Sequence, residues 1–109
     1  MPYYLVQISD SPEGWQALLK QDLETRLQVV YAVVEKLGGK VEGCWSSFGD
    51  YDWVLTCQMP ENISAAAFAL AMSAGGSIKA FKTTPLLTVQ ETAAALQKAA
   101  ASGYQPPQP

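Results

Sequence analysis

The chain has 109 residues and a mass of 11.7 kDa, room for one modest core and hardly a second. Fifteen residues are alanine, fifteen are glycine or proline and seventeen are charged, ten acids against seven bases giving a net charge of −3. Histidine is absent and Lys/Arg nowhere cluster, which excludes histidine metal sites, imidazole-ligated haem and imidazole acid-base chemistry, and argues against nucleic acid and anionic membranes as main partners.

Tyr3 to Ile8, rich in aromatic and branched side chains, predicts a short strand. Asp10-Ser11-Pro12-Glu13 opens a helix, either with Ser11 as N-cap before Pro12 or with Asp10 capping and Glu13 completing a box. Trp15, Leu18, Leu19, Leu23, Leu27, Val30, Val34 and Leu37 then keep one face apolar at intervals of three and four. Gly38-Gly39 ends this stretch; Gly14 and Asp22-Leu23-Glu24 leave one helix or two open.

Lys40–Phe48 and Tyr51–Met59 read as two strands joined through Gly49-Asp50, a connection short enough only for an antiparallel hairpin. With a two-residue loop, Phe48 faces Tyr51 and Cys44 faces Leu55. Cys44, Phe48, Tyr51, Trp53, Leu55 and Cys57 then share one face; Gly43, Trp45, Ser47, Asp52, Val54 and Thr56 share the other. Neither is simply polar, so both faces are expected to be covered.

Pro60-Glu61-Asn62 leads into a helix whose expected buried stripe is Ile63, Ala67, Leu70, Ala71 and Ala74, with Ala65, Phe68 and Met72 further round, and Gly75-Gly76 stops it. Ser77 to Thr83 predicts a fourth strand, with Pro85 marking an end, edge or bulge. Thr88 to Glu91 is a capping box for an alanine-rich helix to about Ala101, and its thin face of Thr92, Ala93, Leu96 and Ala100 predicts weak docking. Residues 1–102 are expected to form a single domain, and 103–109 a mobile Pro/Gln tail.

The order β-α-β-β-α-β plus a terminal helix matches a ferredoxin-like α+β sandwich with two helices on one face of a four-stranded antiparallel sheet. Such a monomer leaves the other sheet face bare. Apolar residues on both faces predict a partner laid sheet against sheet, hence a homodimer or a higher even oligomer. No basic leader precedes the first strand, and no run reaches the ~20 apolar residues of a membrane span, so a soluble cytoplasmic domain is expected.

Glu35-Lys-Leu-Gly-Gly-Lys-Val41, Gly43 and Gly49-Asp-Tyr-Asp52 resemble the GYD domain family of small bacterial proteins. Tyr4-Leu5-Val6 and Ala65-Ala-Ala-Phe-Ala-Leu70 agree as well. The likeness runs from Pro2 to about Ala95, with Asp50 standing at a variable position between Gly49 and Tyr51. It implies a dimeric α/β barrel of ferredoxin-like type and says little of activity. Some fold-level relatives are cofactor-free oxygenases and isomerases, an analogy of architecture that transfers no catalytic residue.

Asp50-Tyr51-Asp52 places two carboxylates beside a phenol in a tight hairpin, a pattern suited to an acid or base once one carboxylate loses solvent. The structural alternative has Asp50 stabilising the turn, Asp52 accepting backbone hydrogen bonds and Tyr51 packing. Tyr3, Tyr4, Trp45, Phe48, Tyr51 and Trp53 offer stacking area to a planar ligand that Asp52 or Ser47 would orient; they equally suit a core or an interface. Only Lys40, Lys79 and Lys82 lie near these aromatics, too little charge for stacking nucleotides. Cys44 and Cys57 share a face in an odd register, where they would oxidise together or offer soft metal ligands, or else remain ordinary buried thiols. Both Gly-Gly pairs lie between helix and strand, the reverse of a phosphate loop, and Ser46-Ser47 lacks a histidine for a hydrolase triad.

The leading functional expectation is a homo-oligomeric protein that binds a small hydrophobic or planar ligand, through Tyr3, Trp45, Asp50 and Trp53, or serves as an interaction module. No cofactor or metal is expected. The alternative is a cofactor-free oxygenase or isomerase with Asp52 as base and Tyr51 beside it, which predicts one desolvated carboxylate at an open apolar floor. Asp52 tied to backbone amides would favour binding or structure. A third reading, a structural subunit of a larger assembly, predicts apolar helix surface near Phe68 and Met72.

Overall fold

The computed structural model describes residues 1–108; the last residue of the expected tail, Pro109, lies outside them. Strand β1 (Tyr3–Asp10) occupies an inner position, flanked by β3 (Trp53–Gln58) and β4 (Ile78–Leu86), while β2 (Lys40–Ser46) pairs outside β3. The order β2-β3-β1-β4 is antiparallel throughout. Between β1 and β2 run two helices, α1 (Pro12–Lys20) and α2 (Leu23–Lys36); α3 (Asn62–Ala74) joins β3 to β4, and α4 (Val89–Ala100) follows β4. This is the ferredoxin-like α+β arrangement.

The open question of one helix or two is resolved by capping. Ser11 is the N-cap of α1, its side chain accepting from the Gly14 amide, with Pro12 in the first turn. Gln21 is extended and ends that helix; Asp22 then caps α2 by accepting from the Thr25 amide and hydroxyl. Gly38, at φ +87°, takes the left-handed turn that lets the chain leave α2 toward β2.

The hairpin register is the expected one, with Cys44 opposite Leu55 and Trp45 opposite Val54. The ladder stops sooner, at Ser46 and Trp53; beyond it the Ser47 amide still bonds to the Asp52 carbonyl, and the Asp52 amide to the Ile8 carbonyl at the end of β1. A bulge between Val41 and Gly43 shifts the register at the other end of β2. Beyond the expected end at Thr83, β4 continues through Pro85 to Leu86; among the described residues it pairs with β1 alone, so an edge strand accommodates the proline.

Alternation along the strands divides the sheet into two unlike faces. Tyr4, Val6 and Ile8 of β1 with Leu55 and Cys57 of β3 point toward the helices, where Val30 and Val34 of α2, Met59, and Ala65 and Phe68 of α3 complete the buried core. Phe68 meets Phe81 of β4 edge to face at 5.5 Å.

That packing corrects the expected face of α3. Ile63 and Leu70, placed in the buried stripe, are 79% and 71% exposed, whereas Ala65 and Phe68 are buried and Met72 packs against the core. The helix is apolar almost all round, so periodicity names no face. The aromatic partner on β4 selects the one carrying Phe68. Phe68 and Met72 are therefore core residues, and the apolar helix surface lies at Ile63 and Leu70 instead.

Among the described residues no layer covers the opposite sheet face. Its residues include Tyr3 and Leu5 of β1, Val54 and Thr56 of β3, Trp45 of β2 and Leu86 of β4, cross-strand neighbours by register. Trp45 is 58% exposed, and Tyr3 and Leu86 are also exposed. Helix α4 buries none of its residues. Among the described residues no helix is long and apolar enough to cross a membrane.

Candidate functional site

The 47–52 loop folds back onto the end of β1. Asp52 donates its amide to the Ile8 carbonyl at 2.8 Å, and its carbonyl accepts from the Ser47 amide at 2.8 Å. Ser9 Oγ donates to the Asp50 carbonyl at 3.1 Å, and Ser47 Oγ to the Tyr51 carbonyl at 2.7 Å. Asp52 Oδ2 accepts from the Asp10 amide at 2.9 Å, and Asp10 Oδ2 accepts from Trp53 Nε1 at 2.8 Å. The end of β1 is thus held by one carboxylate on its backbone and one indole on its side chain.

Trp53 stacks on Trp15 of α1, ring centroids 6.4 Å apart, and itself lines a cleft between the sheet and the helices. The cleft has two lobes that share Asp10, Leu18 and Arg26. One lobe, with about 440 Å³ of empty space including its open mouth, is floored by apolar side chains, among them Leu27, Val30, Leu55 and Met72. The other, about 430 Å³ measured the same way, is bounded by Gly14, Ala17, Gln21 and Ser77.

Burial raises the Asp10 pKa above its ordinary 3.8; the Trp53 hydrogen bond opposes the rise, Asp52's charge adds to it, and Arg26 opposes it. Arg26 acts on Asp10 through space, without a hydrogen bond between them. Cys44 also lines the apolar lobe. Burial lifts its thiol pKa, and a hydrogen bond with Tyr31 pulls it back. Buried Cys57 is pushed up to about 11. The cysteines share the helix-side face, Cys44 opposite Leu55 and Cys57 opposite Val41, and both are free thiols. No group of three or more Cys, Asp or Glu side chains suited to a metal ion occurs among the described residues.

The residues singled out from sequence fall on different sides of the sheet. Tyr3 and Trp45 lie on the open face, while Trp53 lines the helix-side cleft. Asp52 and Tyr51 are half-buried in the loop, the Asp52 carboxylate on a backbone amide; Asp50 is exposed and joins the network through its carbonyl. Phe48 stands fully exposed at the hairpin tip. Sequence reasoning missed Asp10 and Arg26 as cleft residues. The available signal was the rivalry for the α1 cap: once Ser11 takes it, the Asp10 side chain is released toward Trp53.

The model of the GYD domain family matches residues 4–96, and the chain belongs to that family. No curated protein sequence matches it. Among solved structures, it is similar to FFRP-DM1, with TM-score 0.56 and 11% identity over 80% of this chain and 100% of that one. It is also similar to TTHA0845 of Thermus thermophilus, with TM-score 0.52 and 14% identity over 82% and 96% of the two chains. A third similar structure is the transcriptional regulator NMB0573 of Neisseria meningitidis in complex with L-Met, with TM-score 0.52 and 15% identity. That match covers 81% of this chain and 51% of the regulator, about half its length. At these identities the likeness is one of fold.

Proposed function

We propose that the protein is a homodimeric small-molecule-binding and interaction module whose open sheet faces close on one another as a barrel. The observation that carries this reading is the uncovered sheet face with Trp45, Tyr3 and Leu86 exposed on three strands. A second copy covers such a face at low cost, since a two-fold axis matches the same apolar residues to one another. Gly43 belongs to this surface. A Cβ there would collide with the Trp45 indole, so the glycine leaves room for the ring over β2. Tyr3 and Trp45 would then line the space between the sheets, where a planar apolar ligand fits. The L-Met bound to the Neisseria regulator is an instance of a small molecule held by a protein of similar fold. The Asp52 hydrogen bond to the Asp10 amide supports a structural role for that carboxylate over a catalytic one.

The test is sedimentation equilibrium and native mass spectrometry at micromolar concentration on the wild type and on Trp45→Glu. The reading expects an even oligomer for the wild type and a folded monomer for the variant, its fold verified by circular dichroism. A wild type that sediments as a monomer overturns it.

A further inference from the structure

We infer that the helix-side cleft is a binding site for a small zwitterion with an apolar tail, the chemical class of the aliphatic and thioether α-amino acids. The site is separate from the sheet face and does not rest on dimerisation.

Three features of the cleft converge on this class. Asp10 and Arg26 line both lobes, so one acidic and one basic side chain border the same cavity. They do not hydrogen-bond to each other. Trp53 holds Asp10 by Oδ2, leaving Oδ1 without a protein donor among the described residues; the indole thereby fixes the carboxylate's orientation without exhausting it. Beside the charges lies the lobe floored by Leu27, Val30, Leu55 and Met72.

A ligand carrying only an amine would satisfy Asp10 and leave Arg26 unmatched, and a ligand carrying only an acid would do the reverse. In a half-buried site each unmatched charge costs affinity, so the pair selects molecules presenting both signs at one end. Ammonium at Asp10 Oδ1 and carboxylate at the guanidinium leave the third substituent of an α-carbon for the apolar lobe. Its floor of Leu27, Val30, Leu55 and Met72 favours an aliphatic or thioether tail.

The experiment is calorimetric titration of the whole protein with L-leucine, 3-methylbutylamine, which lacks the carboxylate, and 4-methylpentanoate, which lacks the amine. L-leucine is expected to bind saturably, and each analogue at least about tenfold more weakly. Asp10→Asn keeps an acceptor for Trp53 Nε1, and Arg26→Gln keeps the aliphatic stem. Each is expected to weaken L-leucine about tenfold or more with the near-ultraviolet tryptophan spectrum unchanged. Leucine that fails to saturate by about 10 mM overturns the inference. So do analogues that bind as well as leucine, or variants that leave its affinity intact. Running the same titration on the Trp45→Glu protein separates this site from the sheet face: binding retained by the monomer upholds the cleft even where the dimer reading fails.

Discussion

Trp53 Nε1 donates to Asp10 Oδ2 at 2.8 Å, while the Asp10 amide donates to Asp52 Oδ2 at 2.9 Å, so one residue links the hairpin strand and the hairpin loop to the end of β1. Both carboxylates accept through Oδ2, and they differ in place: Asp10 lines the cleft, whereas Asp52 sits in the loop outside it.

The environment of Asp10 makes folding pH-dependent in a stated direction. Burial raises its pKa in the folded chain above the ordinary 3.8, with Asp52 adding to the rise. The folded state therefore binds the proton more tightly than the unfolded one. The associated stability is complete below the unfolded pKa and is lost as pH rises through the folded value. Asp10→Asn cannot titrate and still accepts from Trp53. Urea titrations in steps of pH are expected to show the wild type losing stability relative to Asp10→Asn across that acid window, with a constant difference above it. A difference that is flat from the start would remove Asp10 from the pH dependence.

On α3 the decisive contact is Phe68 against Phe81. Phe68→Ala empties a fully buried site and is expected to cost about 3–5 kcal/mol. Leu70→Ala, on the solvent side, is expected to stay within about 0.5 kcal/mol. Chemical denaturation of the two variants reads the difference directly. Equal losses would mean that α3 packs through the other face.

Much of the architecture is legible in the sequence because strand alternation and glycine stops are local. The Cys44–Leu55 register, the Ser11 cap and the Gly38 turn all follow from neighbouring residues. The face of α3 does not, since an alanine-rich helix presents similar surfaces all round and a residue on a distant strand chooses among them. The cleft is hidden for the same reason. Asp10 and Trp53 are 43 positions apart, and nothing local to either announces the bond. The Asp50-Tyr51-Asp52 motif is conspicuous in sequence, yet much of its polar capacity goes into fastening the loop to β1.

The two thiols are expected to resist modification to different degrees. Reactivity follows the thiolate, and burial pushes Cys57 up to about 11, leaving little thiolate near pH 8. Cys44 is raised as well, but Tyr31 partly offsets this and the residue is half-buried at the cleft. Iodoacetamide should alkylate Cys44 before Cys57 in the native protein, and both at one common fast rate in urea. Peptide mapping by mass spectrometry gives the order, and faster native labelling of Cys57 would contradict its burial.

Helix α4 carries Val89 and Leu96, seven residues apart on one face and 87% and 66% exposed, and none of its twelve residues is buried. A lone helix of that length is marginal in water even with the Thr88–Glu91 capping box that starts it. Its persistence therefore depends on a surface for Val89, Ala93, Leu96 and Ala100, and the proposed dimer provides one where α4 leaves β4 beside the open sheet face. Hydrogen exchange is expected to be slow across 89–100 in the wild-type oligomer and fast in the Trp45→Glu monomer, while the β1 amides stay protected in both. Deleting residues 88–109 should likewise weaken association yet change the stability of the remaining fold by no more than about 1 kcal/mol, because the core gains nothing from α4. Exchange across α4 that is equally fast in oligomer and monomer would detach this helix from the interface and leave the sheet faces to hold the dimer alone.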